Sequence, residues 1–216
     1  MNSRCAVPSL LVPVREAYLT GYHRERHYSP GNSETRLAGS GPVGKNPAMQ
    51  IDVVIADITT VRAVVLVTAA NSALAGGGGV DGAIHRAAGP ELLRALRPLA
   101  PCPAGAAVIT PAFGLPAPVQ HIIHAVGPRY GVDEPADELL ASAYLASLRL
   151  CDDVGAASVA FPSLSTGAFG FPLLQACQIS VAALLNASTQ VGHCMLVAFD
   201  RKTQKFWERS LAAPQR

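Results

Sequence analysis

Three observations predict an α/β fold with a mixed, mainly parallel sheet between two layers of helices. Short apolar runs, several of them continuous and rich in Val and Ile, alternate along the chain with stretches of helical period. Short loops join them, and alternation of this kind favours parallel strands with helices on both faces. Polar or glycine-rich segments also recur just after the apolar runs, where such a sheet forms its ligand crevice.

Residues 51–55 (Ile-Asp-Val-Val-Ile) read as the first strand, ended by Asp57-Ile58-Thr59. Residues 64–67 (Val-Val-Leu-Val) are continuously aliphatic, as expected of a strand covered on both faces. A short helix is predicted to reach Ala88, with Ile84, Ala87 and Ala88 at helical spacing, and another to start at Pro90, a favoured first helical residue. Residues 106–110 and 121–126 are the next two strands. Residues 134–151 form a long helix burying Leu139, Leu140, Ala143, Leu148 and Leu150. A strand at 158–162, a loop at 163–170, a helix at 173–185, a strand at 195–199 and a helix at 203–211 complete the order.

The 216 residues hold one ordinary domain plus an extension. Residues 1–48 carry six basic side chains against three acidic ones; residues 22–45 are rich in Arg, Ser, Gly and Pro without an apolar period, and the segment is expected to be disordered. The domain is placed at 49–213. Half of all residues are hydrophobic and 15% are charged, so a sizeable core can form. Beyond residue 48 the charges nearly cancel, which indicates no nucleic-acid partner. The five cysteines are scattered without a Cys-x-x-Cys pair, which argues against a disulfide framework and a zinc site. No run approaches the ~18 apolar residues of a membrane helix. A short apolar stretch near residue 10 is broken by Pro8 and Pro13 and makes a poor signal peptide. A cytoplasmic protein without metal or cofactor is expected.

The stretch from Thr68 to His85 organises the rest. It contains Gly76-Gly77-Gly78-Gly79 followed by Val80-Asp81, between a strand and a helix. Four glycines cost backbone entropy and pack nothing, but they let a chain pass close to a ligand. With the N–H groups and dipole of the following helix, such a loop is an anion-binding device. A flexible linker would not lie between two core-forming patterns. A P-loop would need Lys and Ser/Thr directly after the glycines, where Val80 and Asp81 stand instead.

Taken together, Ala56-Asp57-Ile58-Thr59, Ala69-Ala70-Asn71, the run Gly76 to Pro90, Cys102-Pro103, His124 to Pro128 and Phe161 to Pro172 resemble the macrodomain family, in its MacroD-type branch. That branch includes bacterial O-acetyl-ADP-ribose deacetylases. The resemblance runs from about residue 49 to 211 and implies a three-layer α/β/α fold that binds ADP-ribose.

By this resemblance Asp57 accepts a hydrogen bond from the adenine amino group, with the main chain of Ile58 beside it; a carboxylate suits an exocyclic amine. Gly79 and Val80 belong to a first phosphate loop, and Ser165, Thr166, Gly167, Ala168 and Phe169 to a second. Main-chain donors there would hold the diphosphate. Phe169 matches the aromatic that packs on the distal ribose, although by itself it reads equally well as a core residue. Asn71 and Asp81 are the catalytic candidates. Asn71 would orient the distal ribose, and Asp81 would deprotonate or hold the attacking water. His85, one helical turn beyond Asp81, reads as a structural histidine before it reads as a support for that acid.

The expected activity is hydrolysis of an ester at the distal ribose. The substrates would be O-acetyl-ADP-ribose or mono-ADP-ribose on protein Asp or Glu, with ADP-ribosylated proteins as partners in the second case. The alternative is a non-catalytic ADP-ribose reader. Thr68, Val64 and Ala56 stand where the family usually has asparagine, an acid and glycine. They are expected to leave Asn71 and Asp81 untouched and to bear on affinity.

Overall fold

A computed structural model describes residues 49–214. The extension expected at 1–48 lies outside the described residues.

Six strands form one sheet: β1 (Gln50–Ile55), β2 (Val65–Ala69), β3 (Ala107–Pro111), β4 (His121–Ala125), β5 (Ser158–Phe161) and β6 (His193–Ala198). Their spatial order is β1-β6-β5-β2-β4-β3. All neighbours pair in parallel except β3, which runs antiparallel to β4 with Ile109 opposite Ile123. The chain makes that exception because β3 and β4 follow one another with no helix between them, and only a helical crossover returns a strand in parallel. Among the described residues five α-helices cover the sheet: α1 (Gly79–Ala88), α2 (Pro90–Leu96), α3 (Ala136–Asp153), α4 (Leu173–Leu185) and α5 (Arg201–Ala212). The mixed, mainly parallel sheet and the order of elements agree with expectation, within one or two residues at most ends.

Side-chain alternation along the strands divides the interior into two cores. Val65, Val67, Ile123, Val159, Phe161, Cys194 and Leu196 face one way and pack with Leu140, Tyr144 and Leu148 of α3, Val181 of α4 and Trp207 of α5. Leu66, Ile122, Ala160 and Val197 face the other way, toward Ile84 of α1 and Leu92 and Leu96 of α2. The continuous apolar strands follow from this double coverage, since both sets of positions lose contact with water. Thr68, Thr110 and His124 share the α1 face by the same alternation, and all three are buried. They make a polar island at the end of an otherwise apolar layer.

Cys102, Cys151, Cys177 and Cys194 are buried free thiols. Burial pushes the Cys102 thiol up to about 11 and holds the others in the neutral form as well. No helix among the described residues is long and apolar enough to cross a membrane.

Candidate active site

A cleft of about 950 Å³ opens at the carboxyl ends of β1, β2, β5 and β6. Every sequence-predicted site residue lines it: Asp57, Ile58, Asn71, Gly79, Val80, Asp81, Ser165, Thr166, Gly167, Ala168 and Phe169. Loops separated by more than 100 residues of chain converge there because their strands end on the same edge of the sheet.

At one end, Asp57 caps a turn of 3-10 helix, accepting from the Thr59 N–H (2.9 Å) and hydroxyl (2.8 Å) on a single oxygen, Oδ1. These bonds, the backbone one first, hold its carboxyl below the usual range, so it is an ionised acceptor with Oδ2 available. The Ile58 side chain is buried in the core, which leaves its main chain to face the cleft. The last strand adds residues that the sequence reading left out of the site. Phe199 is 91% exposed and lines this end of the cleft beside Asp200 and Thr203. A large aromatic just past the end of a parallel strand, followed by an acid that caps the next helix, was the available signal. Arg86 of α1 also lines the cleft and helps keep Asp57 ionised.

In the middle, the glycine run leads into the N-terminus of α1. Gly79 has a φ of +58°, a conformation that only glycine adopts without strain. Gly82 is required for a different reason: a Cβ there would sit 2.5 Å from the Gly77 carbonyl oxygen. The helix therefore packs directly against the loop and fixes its path. Asn71 shapes the same loop, with Nδ2 donating to the Gly76 carbonyl at 2.7 Å and Oδ1 accepting from the Ala75 N–H at 3.4 Å. Opposite, the loop after β5 is pinned by Tyr144 of α3, whose hydroxyl donates to the Pro162 carbonyl and accepts from the Leu164 N–H, both at 3.2 Å. Ser165 takes a φ of +64°, and its buried hydroxyl has no partner. The Phe169 carbonyl accepts from the Tyr130 N–H at 2.9 Å, and the Phe169 ring is half-buried against the cleft.

Asp81 and Asn71 converge on Gly77. A Cβ there would lie 3.7 Å from Asp81 Oδ2 and 3.9 Å from Asn71 Nδ2. Asp81 is only 4% exposed, in the first turn of α1. Its other oxygen, Oδ1, accepts a hydrogen bond from the Thr68 hydroxyl at 3.0 Å, with His85 Nε2 at 3.7 Å. Burial raises the Asp81 carboxyl above its ordinary value, while the Thr68 bond and His85 pull it back. The carboxylate is thus made more basic than a surface acid and is held in one orientation.

This geometry overturns one expectation. Thr68 does not leave Asp81 untouched but is its hydrogen-bond partner, because alternation along β2 aims it at α1. His85 likewise lies against Asp81 in addition to packing edge-on against the His124 ring, with centroids 6.1 Å apart.

The Macro domain family model matches residues 67–180. An O-acetyl-ADP-ribose deacetylase from Klebsiella pneumoniae is 45% identical over 174 residues, which cover 77% of this chain and 98% of that protein. A macro domain-containing protein from Lactiplantibacillus plantarum is 44% identical over 170 residues, 76% of this chain and 98% of its own length. Among solved structures, a mutant of the Oceanobacillus iheyensis macrodomain with ADPR superposes with a TM-score of 0.73 at 35% identity, covering 78% of this chain and 95% of that one. A Trypanosoma brucei macrodomain in complex with ADP-ribose gives 0.68 at 32% identity, with 75% and 69% covered. Fold, cleft and sequence agree: the chain belongs to the macrodomain family.

Proposed function

We propose that the chain is an ADP-ribose-binding hydrolase that cleaves an ester at the distal ribose, with O-acetyl-ADP-ribose as substrate and acetate and ADP-ribose as products. The observation that carries this reading is Asp81: a buried carboxylate at a helix N-terminus, basic for its type, with Oδ2 toward the cleft and Asn71 beside it. The relatives named for this deacetylase activity support it.

In this reading Asp57 and the main chain of Ile58 receive the adenine. Gly79 and Val80 on one side, and the segment Ser165 to Phe169 on the other, cradle the diphosphate with main-chain donors. Arg86, which also lines the cleft, acts on Asp57 at the adenine end. Asn71 and Phe169 hold the distal ribose. A water beside Asp81 Oδ2 attacks the ester carbonyl carbon, and Asp81 accepts its proton. The tetrahedral intermediate collapses by breaking the bond between the acyl carbon and the ribose oxygen. Asp81 returns the proton to the departing ribose hydroxyl. Every step uses the chain's own residues.

The same chemistry acts on mono-ADP-ribose esterified to protein Asp or Glu, which we propose as a second substrate class. The free buried thiols agree with a cytoplasmic setting. The test follows O-acetyl-ADP-ribose breakdown by the intact protein beside Asp81→Ala, with ADP-ribose affinity measured for both. Turnover should fall by about 10²–10⁴-fold, the range for a lost general base, with affinity held within severalfold. Tight ADP-ribose binding without Asp81-dependent turnover of either ester would make the chain a reader.

A further inference from the structure

Behind Asp81, on the side away from Gly77, lie two histidines that the hydrolysis does not use. A carboxylate oxygen of Asp81 and one ring nitrogen each of His85 and His124 all lie within 4.8 Å of one another. His124, on β4, is completely buried. The Thr110 hydroxyl is 3.1 Å from His124 Nε2 and 3.5 Å from the Ile122 carbonyl, to which it donates. In the tautomer in which the Thr110 hydroxyl accepts from the ring, Nε2 carries the hydrogen and Nδ1 keeps a bare lone pair. That Nδ1 is buried with no partner. An orphaned acceptor in a core is costly unless something fills the position. Burial also keeps the ring neutral, down to about 3.

We propose that Asp81, His85 and His124 form a site for a divalent transition-metal cation of the zinc class, and that an ion there shuts off hydrolysis. Two imidazoles and a carboxylate are a common zinc set, and a ligating histidine that donates its other N–H to a neighbour has its ring fixed for the metal. A tetrahedral zinc keeps its ligand atoms roughly 3.4 Å apart. The Asp81–His85 pair is 3.7 Å apart and no pair exceeds 4.8 Å, so the widest gap closes by at most about 1.4 Å. The i, i+4 spacing of Asp81 and His85 on α1 and the parallel register of Thr68 with His124 bring the three together. Sequence spacing alone gave no sign of it, because His124 lies 39 residues beyond His85.

The ion would engage Oδ1 and leave Oδ2 facing the cleft. A carboxylate bound to a divalent cation is a weak proton acceptor, so Asp81 would lose its basicity while ADP-ribose could still bind. The inhibition rests on the hydrolase reading; the metal site does not.

The untagged full-length chain, stripped with chelator, is titrated with Zn²⁺ by calorimetry and with Co²⁺ by visible absorption. O-acetyl-ADP-ribose turnover and ADP-ribose affinity are measured at each occupancy. One equivalent should bind, with a Co²⁺ spectrum of low coordination number. Turnover should fall in step with occupancy and return on chelation, and ADP-ribose affinity should stay within severalfold. His124→Gln and His85→Gln should each weaken metal binding at least tenfold; the second lies on a partly exposed helix face and tests the site even if the first fails to fold. No one-equivalent binding, or binding that both variants retain, overturns the site. Binding with undiminished turnover overturns the inhibition. A metal site that depends on His85 and His124 in a chain without esterase turnover would leave the site standing and sink the hydrolase reading instead.

Discussion

Thr68→Val removes one hydroxyl and keeps the shape of the side chain, so it isolates the bond to Asp81. Both partners are buried, and the 3.0 Å bond is made to a carboxylate. A hydrogen bond to a charged group contributes about 1.5–3 kcal/mol. The hydroxyl favours the ionised form, so its loss raises the Asp81 pKa further above 3.8. One pKa unit corresponds to about 1.4 kcal/mol, so the lower end of that range moves the pKa up by about one unit. In the proposed mechanism Asp81 acts in its ionised form, and the acid limb of the kcat/KM profile for O-acetyl-ADP-ribose should therefore move about one unit toward neutral pH. A group whose folded pKa lies above its unfolded one destabilises the fold once it ionises. The stability cost of Thr68→Val should accordingly be larger at pH 7 than at pH 4. Because Thr68 is not among the residues lining the cleft, ADP-ribose affinity should change less than about threefold. Rate profiles taken in chelator, with urea unfolding at the two pH values, read all three quantities. An acid limb that stays in place while Asp81→Ala still abolishes turnover would refute the claim that the Thr68 bond lowers the basicity of Asp81.

Gly82→Ala would drive a Cβ to within 2.5 Å of the Gly77 carbonyl oxygen, so the glycine loop must shift. Overpacking of this kind costs about 1–3 kcal/mol, and thermal unfolding should come several degrees earlier, with ADP-ribose affinity down at least about tenfold by calorimetry. Phe199→Ala deletes a ring that is 91% exposed, so unfolding should be unchanged. If the ring stacks on adenine, affinity should fall about fivefold or more, since a base–aromatic stack is worth about 1–3 kcal/mol. Burial lowers the His124 pKa from 6.5 to about 3. Between those values the unfolded chain takes up a proton that the folded chain refuses, so stability is lost as pH falls below about 6.5, by about 2 kcal/mol at pH 5. In His124→Gln, which does not titrate, that part of the change in urea midpoint between pH 7 and pH 5 should vanish.

Legibility in the sequence followed the range of the interaction that fixes each feature. The strands at 64–67 and 158–162 could be read because burial on both faces demands continuous apolar residues, a requirement written in consecutive positions. The glycine run could be read because a main chain that passes close to a ligand needs glycine, again a local demand, whereas Asp57, Asn71 and the segment 165–169 were legible only through the family resemblance. Phe199 was missed because its local signal, an aromatic past a strand end before a capping acid, does not by itself separate a cleft residue from a surface one. Its place in the cleft depends on β6 lying between β1 and β5. The Thr68–Asp81 bond depends on still more: the period-2 alternation of β2 that turns Thr68 toward α1, and the packing of α1 across that face of the sheet. Thr68 therefore looks like a local loss when set against the family's asparagine, yet in the fold it orients the carboxylate on which the proposed chemistry turns. Below it, His124 faces the same layer, and there the packing leaves a nitrogen with nothing to bind. Two polar residues on neighbouring strands, one spent on holding Asp81 and one unsatisfied beside it, give that acid two controls. The hydroxyl tempers the basicity that burial gives the carboxylate, and the proposed cation beside it would decide whether that basicity is available at all.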